Sequence, residues 1–238
     1  MSLKCSRISK QFGKLKAVDA LNFEVRKGEI FGIAGPNGAG KTTVFNMITG
    51  FYTYTGSIRF LGRELNGLPA YRICRAGVAR TFQIPQLFTS LSVSDNIRAG
   101  AHFGSRQNKP ETETIEEVID FVGLWDHREH KAAHLKLLDK KRTMIGAALA
   151  THPQILLLDE PIAGLNPSEI TQTLELFHRI NQDLGITILI IEHFMKVLTE
   201  LSQQLLILEN GKKVCLGPPH EVTRDQRVIE CYLGEEHD

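Results

Sequence analysis

Several short runs of the chain are apolar almost without interruption. They lie at residues 30–34, 155–158, 186–191 and 205–208. Continuous rather than alternating apolar runs are typical of strands in a parallel sheet that is covered on both faces. Segments with helical spacing of apolar residues separate these runs, so the pattern predicts an α/β fold with a mostly parallel sheet.

Two of the predicted helices have clear starting points. One begins at Lys41, and the other covers about residues 167–183. The second starts with Asn166 as a good N-cap, Pro167 at the first helical position and Glu169 at the third, as in a capping box. Its apolar residues recur at helical spacing and predict a core-facing stripe. They are Ile170, Leu174, Phe177 and Ile180.

The middle of the chain has a different pattern. Between residues 84 and 140 we find helical segments at 93–101 and 114–123, joined by a polar loop at 105–113, and no convincing strand. This predicts one domain over residues 1–238, in which a helical subdomain at about 84–140 interrupts an α/β core of 1–83 and 141–238.

Composition excludes some classes of function. The chain has 28 lysines and arginines against 27 aspartates and glutamates, for a formal net charge of +1. No overall basic field therefore indicates a nucleic-acid partner. The four cysteines form no Cys-x-x-Cys pair, which favours reduced thiols in a cytosolic protein. We find neither a membrane-spanning run nor a signal peptide, so we expect no insertion into a membrane.

A glycine-rich loop lies between the first apolar run and the helix predicted at Lys41. It fits the spacing Gly, four residues, Gly-Lys-Thr, which is typical of triphosphate-binding loops. Glycines let backbone N–H groups turn toward an anion, and the helix N-terminus adds positive charge. We expect Lys41 to reach the β- and γ-phosphates of ATP and the Thr42 hydroxyl to bind Mg²⁺. The predicted loop comprises Gly35, Pro36, Asn37, Gly38, Ala39, Gly40, Lys41, Thr42 and Thr43.

Two carboxylates follow the apolar run at 155–158. A buried parallel strand delivers such charges to the carboxyl edge of the sheet, where ligands of open α/β sheets bind. We expect Asp159 to hold Mg²⁺, mostly through water, and Glu160 to act as general base on the attacking water. A surface turn with both acids solvated is the alternative. The glycine-rich loop and the acidic pair together predict a Mg²⁺-dependent ATPase.

The motifs, taken in order, resemble those of ABC (ATP-binding cassette) ATPases over essentially the whole chain. The acidic pair continues as Asp-Glu-Pro-Ile-Ala-Gly-Leu-Asn-Pro, which is similar to the family's joined Walker B and D-loop motifs. The D-loop residues are then Gly164, Leu165 and Asn166. The resemblance implies a P-loop NTPase core with a mostly parallel sheet, an N-terminal antiparallel β portion and an inserted α-helical subdomain.

Three further residues match family motifs. By the resemblance, Gln83 belongs to the Q-loop, senses the γ-phosphate and binds Mg²⁺. His193 matches the switch histidine, which bonds the γ-phosphate and keeps water and Glu160 in register. Phe12 matches the aromatic residue that stacks on adenine. The alternative for His193 is a histidine at the end of a strand whose side chain is hydrogen-bonded to the backbone. The alternative for Phe12 is ordinary packing.

The family's signature motif, Leu-Ser-Gly-Gly-Gln, is altered in this chain. The matching residues are Leu135, Lys136, Leu137, Leu138 and Asp139. By the resemblance, this motif contacts the γ-phosphate held by a second ATPase subunit. Residues 140–142 are all cationic, and we expect them in the first turn of a helix capped by Asp139, where they oppose the helix dipole. A solvated face and a nearby phosphate or acidic partner loop both explain them.

The C-terminal stretch at 211–222 and 227–234 is similar to the tail of branched-chain amino-acid importer ATPases and their urea and amide relatives. An amphipathic helix with Val228, Ile229, Tyr232 and Leu233 on its core-facing side is a compatible interpretation. The resemblance implies a subunit at the inner face of the cell membrane. Its partners are a second ATPase, identical or different, two permease subunits and, indirectly, a solute-binding protein.

Four apolar residues offer a surface for the membrane subunits. The alternative is that they fill the helical subdomain's own core, as some of them surely do. They are Ile84, Leu87, Phe88 and Leu91. Alternatives to the importer are a lipopolysaccharide-export-type ATPase, a non-transport ATPase of DNA repair or translation, and a regulatory ATP sensor.

Overall fold

The structure, a computed structural model, describes residues 2–104 and 111–233. Its chain divides into two units, one of Met1–Ala70 with Thr187–Asp238 and one of Tyr71–Ile186. Part of the predicted polar loop (105–110), the Leu233 side chain and Gly234 lie outside the described part. None of the described helices is both long and apolar enough to span a bilayer.

The strands lie in the following order along the chain. They are β1 (Leu3–Phe12), β2 (Leu15–Val25), β3 (Ile30–Ala34), β4 (Thr55–Phe60), β5 (Arg63–Glu64), β6 (Val78–Arg80), β7 (Ile155–Asp159), β8 (Thr187–Ile191), β9 (Gln204–Glu209) and β10 (Lys212–Gly217).

The α-helices follow in the same order. They are α1 (Lys41–Ile48), α2 (Ala70–Arg75), α3 (Val93–Phe103), α4 (Glu111–Phe121), α5 (Leu137–Leu149), α6 (Pro167–Gln182), α7 (Met195–Leu201), α8 (Pro219–Val222) and α9 (Gln226–Leu233).

The first unit contains two groups of strands. The antiparallel sheet β2-β1-β4-β5 confirms the N-terminal antiparallel β portion, and the second group has the order β10-β9-β3-β8. Here β3 pairs in parallel with both β8 and β9, whereas β10 is antiparallel to β9. Every residue of β3 and β8 is buried, because each of these continuous apolar strands is covered on both faces.

The second unit combines the parallel pair β6–β7 with four longer helices. A Cβ on Gly100 of α3 would lie 2.0 Å from the Ala147 carbonyl oxygen of α5, and one on Gly146 would lie 2.9 Å from Ile97. Glycine at both positions lets the two helices approach closely. As predicted, the described residues between 84 and 140 contain helices and no named strand.

Most of the predicted element boundaries are confirmed. The strands at β3, β7, β8 and β9 and the helix starting at Lys41 lie where the apolar pattern places them. The C-terminal helix α9 differs in its buried side, which consists of Val228 and Cys231, while Ile229 is exposed. The expectation for Ile229 was wrong because adjacent helical residues point about 100° apart, whereas residues three apart share a face.

All four cysteines are free thiols. Burial raises the pKa of the Cys5 and Cys74 thiols above the ordinary value. Burial and a hydrogen bond with the Asp225 carboxylate raise the pKa of Cys215. The raised pKa favours the protonated thiol at each of these three positions.

Candidate functional site

The loop between β3 and α1 closes around the side chain of Lys41. Lys41 is 6% exposed, and its Nζ donates to the carbonyl oxygens of Gly35 (2.6 Å) and Pro36 (2.8 Å). The side chain thus folds back across the loop. An ammonium group lies where the glycine-rich sequence predicts an anion-binding turn.

Two glycines of this loop are required by its backbone. Gly35 has φ 143° and Gly40 has φ 99°, and a Cβ on either would meet a carbonyl oxygen at 2.0 Å (Leu208) or 2.2 Å (Ala17). Any larger residue at these positions has to displace main chain. The loop conformation is therefore specific to glycine.

The start of α1 can accept a phosphate. Gly40 is its N-cap and no side chain caps the helix, which has no acidic residue in its first turn. The first-turn N–H groups keep their positive end, and Thr42 is exposed beside them. Backbone amides, an ammonium and an accessible hydroxyl together suit a magnesium-bound triphosphate.

His193 follows β8 in the same unit as the loop. Since β8 pairs in parallel with β3 and Ile191 lies opposite Ile33, His193 and Gly35 emerge at the same edge of these strands. The carboxylate of Glu192, which is buried, accepts a hydrogen bond from the His193 backbone N–H at 3.3 Å. Glu192 was not among the predicted site residues, because its one signal in the sequence is a charge directly after an apolar strand.

Phe12 lies in a small aromatic cluster. Its ring is 42% exposed and contacts Tyr52 edge-on with centroids 5.1 Å apart. Lys10 Nζ lies 5.1 Å from the Phe12 centroid and 5.4 Å from that of Tyr52. This exposure leaves Phe12 accessible to a base. Tyr52 and Lys10 were not predicted as its neighbours, because Tyr52 lies far from Phe12 in the chain and Lys10 is polar rather than aromatic.

The acidic pair lies at the end of β7 in the second unit. Asp159 Oδ2 accepts a hydrogen bond from Arg80 Nη2 at 2.7 Å, and both side chains are only 5% exposed. The Arg80 guanidinium also stacks 4.9 Å from the Phe82 ring centroid. A solvated surface turn was one expectation for the two acids, and burial of Asp159 contradicts it.

Gln83 and Glu160, both predicted site residues, are hydrogen-bonded in this unit. Gln83 Nε2 donates to Glu160 Oε2. The Glu160 backbone is left-handed, with φ 46°, an uncommon conformation for a residue with a side chain. The structure therefore brings together three of the predicted residues: Gln83, Asp159 and Glu160.

Helix α5 begins earlier than the sequence analysis expected. Its N-cap is Lys136 and Asp139 lies in its first turn, so the expected cap at Asp139 was wrong. Leu137 and Leu138 are good helix formers and extend the helix toward its N-terminus. The cations 140–142 consequently begin after the first three helical residues, and one of them, Lys141, is buried rather than solvated.

The altered signature stretch has mixed environments. Leu135 is buried, Lys136 and Leu137 are exposed, and Asp139 Oδ2 lies 3.2 Å from Nδ1 of His127. A Cβ on Gly164, which has φ 79°, would lie 3.0 Å from Leu137 Cδ2. The stretch thus lies against the predicted D-loop of the same chain.

The remaining D-loop residues, Leu165 and Asn166, lead into α6, and Asn166 is its N-cap. Asn166 Oδ1 accepts from the Glu169 N–H at 3.0 Å, and Glu169 Oε2 accepts from the Asn166 N–H at 2.9 Å. This confirms the predicted capping box. The Leu165 N–H donates to the Ile162 carbonyl at 3.1 Å, which closes the turn before the helix.

Three of the four apolar residues predicted to form a surface are exposed. Ile84 is 71% exposed, and Phe88 and Leu91 are also exposed, whereas Leu87 is half-buried. Such a cluster marks a contact surface more often than scattered single residues do.

Comparisons with known proteins agree at the level of family and fold. A family model described as "ABC transporter" matches residues 18–163, and a second, "Branched-chain amino acid ATP-binding cassette transporter", matches residues 212–238. The chain is 38% identical over 241 residues to the high-affinity branched-chain amino acid transport ATP-binding protein LivG of Salmonella typhimurium, with 94% of each chain covered. It is 35% identical over 249 residues to BraF of Pseudomonas aeruginosa, a protein of the same description, with 98% of each covered. A crystal structure of the ADP conformation of MJ1267, an ATP-binding cassette of an ABC transporter, has a TM-score of 0.89, 30% identity and 98% coverage of each chain.

Proposed function

The chain belongs to the ABC transporter family, and we propose that it is the ATP-hydrolysing, energy-coupling subunit of an importer for branched-chain amino acids. The geometry that carries the ATP-binding part is the loop closed by Lys41, with glycine-specific backbone at Gly35 and Gly40. The solute class is supported by the relatives LivG and BraF and by the match of residues 212–238. That match also favours an importer over an exporter with a similar signature.

Residues of the loop would bind the triphosphate of ATP, and Phe12 would stack on its base. Thr42, Asp159 and Gln83 are the residues that would hold Mg²⁺, whose charge screens the phosphates. No group of three or more His, Cys, Asp or Glu within 2–104 and 111–233 could hold a metal. Mg²⁺ in such sites usually takes its other ligands from the nucleotide phosphates and water.

Three side chains would act on the chemistry of hydrolysis. Glu160 accepts a proton from the attacking water as general base. Gln83, which donates to the Glu160 carboxylate, orients that group and links it to the chain at 84–140, which we propose as the inserted helical subdomain. His193 would donate to the γ-phosphate.

The altered signature separates binding from hydrolysis. In this family the signature acts on ATP held by the partner subunit, and groups supplied across an interface are worth about 10³–10⁵ in rate. Lysine and leucine at 136–138 supply neither a serine hydroxyl nor glycine N–H groups at close approach. We therefore expect the chain alone to bind ATP and hydrolyse it slowly, with full activity beside a second ATPase that has an intact signature.

We further propose a peripheral position at the cytoplasmic face of the membrane. Two permease subunits would contact the exposed surface of Ile84, Phe88 and Leu91, and a solute-binding protein would deliver the solute to them. Purification of the tagged chain from its native membranes is expected to yield two multispanning proteins and a second ATPase. Recovery with ribosomes or DNA instead would contradict the transport role.

The solute class is tested by uptake in the source cells. Deleting the gene is expected to abolish uptake of labelled leucine, isoleucine and valine at low concentration and to leave arginine uptake unchanged. The wild-type gene should restore uptake.

The purified chain should hydrolyse ATP slowly and gain activity when the second ATPase is added. Full turnover by the chain alone would contradict the role of the altered signature.

A further inference from the structure

A buried cation of α5 contacts the turn that carries Glu160. Lys141 is only 2% exposed, and its Nζ donates to the Glu160 carbonyl oxygen at 3.3 Å. Burying an ammonium group is costly unless polar partners compensate it. The Glu160 carbonyl oxygen is one such partner of the Lys141 ammonium group.

The Glu160 main chain needs support of this kind. Its left-handed backbone (φ 46°) is unfavourable in a residue with a Cβ. The Ala163 N–H also donates to the Glu160 carbonyl oxygen, at 3.3 Å, so this one oxygen receives a bond from the following turn and another from α5. Two donors on the carbonyl limit rotation of the Glu160 peptide and hence the direction of its carboxylate.

The Glu160 carboxylate has a hydrogen-bond donor of its own, separate from those of the carbonyl. Gln83 donates to Oε2, while the preceding Asp159 is fixed by the buried Arg80. The two carboxylates and the Glu160 carbonyl thus each have a side-chain donor from a different part of the second unit. Lys141 is the donor that comes from the helix carrying the altered signature.

We propose that Lys141 is a positioning residue for Glu160: it fixes the Glu160 peptide in its left-handed conformation and thereby aims the carboxylate at the attacking water. The inference rests on the proposed role of Glu160 as general base. A displacement of about 1 Å in a reacting group can cost about 100-fold in rate, so loss of this contact acts on turnover and not on ATP affinity.

The test compares Lys141→Met with the matched control Lys140→Met, the neighbouring and half-exposed lysine of the same helix. Single-turnover hydrolysis, ATP affinity and Tm are measured on the purified full chain. Lys141→Met is expected to hydrolyse ATP about 10- to 100-fold more slowly, with ATP affinity unchanged. Lys140→Met should match the wild type. A Lys141→Met rate equal to that of Lys140→Met overturns the proposal.

Two further measurements distinguish positioning of Glu160 by Lys141 from a purely structural role of Lys141. In a Glu160→Gln background Lys141→Met should cause no additional loss of rate, since the group it positions is gone; an additive loss overturns the proposal. If Lys141→Met does not fold, Lys141→Arg keeps a charged donor and should retain hydrolysis well above that of Lys141→Gln at equal Tm, and equal rates would count against it. Should Glu160→Gln leave hydrolysis intact, the proposed function itself fails, which is a distinct result.

Discussion

Replacing Glu160 with glutamine is expected to slow ATP hydrolysis by about 10²–10⁴-fold, the usual contribution of a general base. Glutamine has nearly the same shape and still accepts a hydrogen bond from Gln83, but it cannot take a proton from water. ATP affinity should stay within about twofold, because the loop at residues 35–43 is unchanged. A tenfold change in affinity would require the loss of about 1.4 kcal/mol of binding free energy. Single-turnover hydrolysis and nucleotide titration measure the two quantities separately.

The matched control is Glu175→Gln, an exposed glutamate on α6 in the same unit. This variant should hydrolyse ATP like the wild type. If Glu160→Gln and Glu175→Gln hydrolyse ATP equally well, Glu160 is not the base, and the chemistry proposed for the acidic pair is wrong.

The second large effect concerns stability rather than turnover. Arg80→Met is expected to lower the free energy of unfolding by about 3–5 kcal/mol, because it leaves the buried Asp159 carboxylate without its cation. Both side chains of this pair are 5% exposed and the bond is 2.7 Å long. Urea unfolding without nucleotide or magnesium measures the loss directly.

Arg98→Met is the comparison for this prediction. Arg98 pairs with Asp95 in the same unit, but these side chains are 48% and 42% exposed. Its loss should cost less than about 1 kcal/mol. Adding Asp159→Asn to Arg80→Met should recover part of the stability, since the buried charge is then removed. Equal losses for Arg80→Met and Arg98→Met would show that the Arg80 pair is not effectively buried.

Local signals allowed much of this fold to be predicted. The continuous apolar runs identify β3, β7, β8 and β9, because strands covered on both faces admit few polar residues. The capping box at Asn166 and Glu169 was predictable because its two hydrogen bonds involve residues three apart. The glycine-rich loop is recognisable for the same reason, since all its groups lie within nine residues.

Contacts between distant residues were beyond such reasoning. Arg80 meets Asp159 only because β6 pairs with β7 in a register that places Arg80 opposite Leu157. Lys141 was recognised as an unusual cation, yet its burial depends on where α5 begins. That start depends on the competition between Asp139 as a cap and two leucines as helix formers, which the sequence alone did not decide.

Binding of MgATP to the loop at Lys41 is the claim on which all the others depend. Calorimetric titration of the purified chain should show one saturable site, and Lys41→Ala should weaken it by about 10- to 100-fold, because a charge-assisted contact worth about 1.5–3 kcal/mol is lost. Lys27→Ala, an exposed lysine of the same unit, should bind like the wild type. No saturable binding, or equal binding by Lys41→Ala and the wild type, would contradict the account.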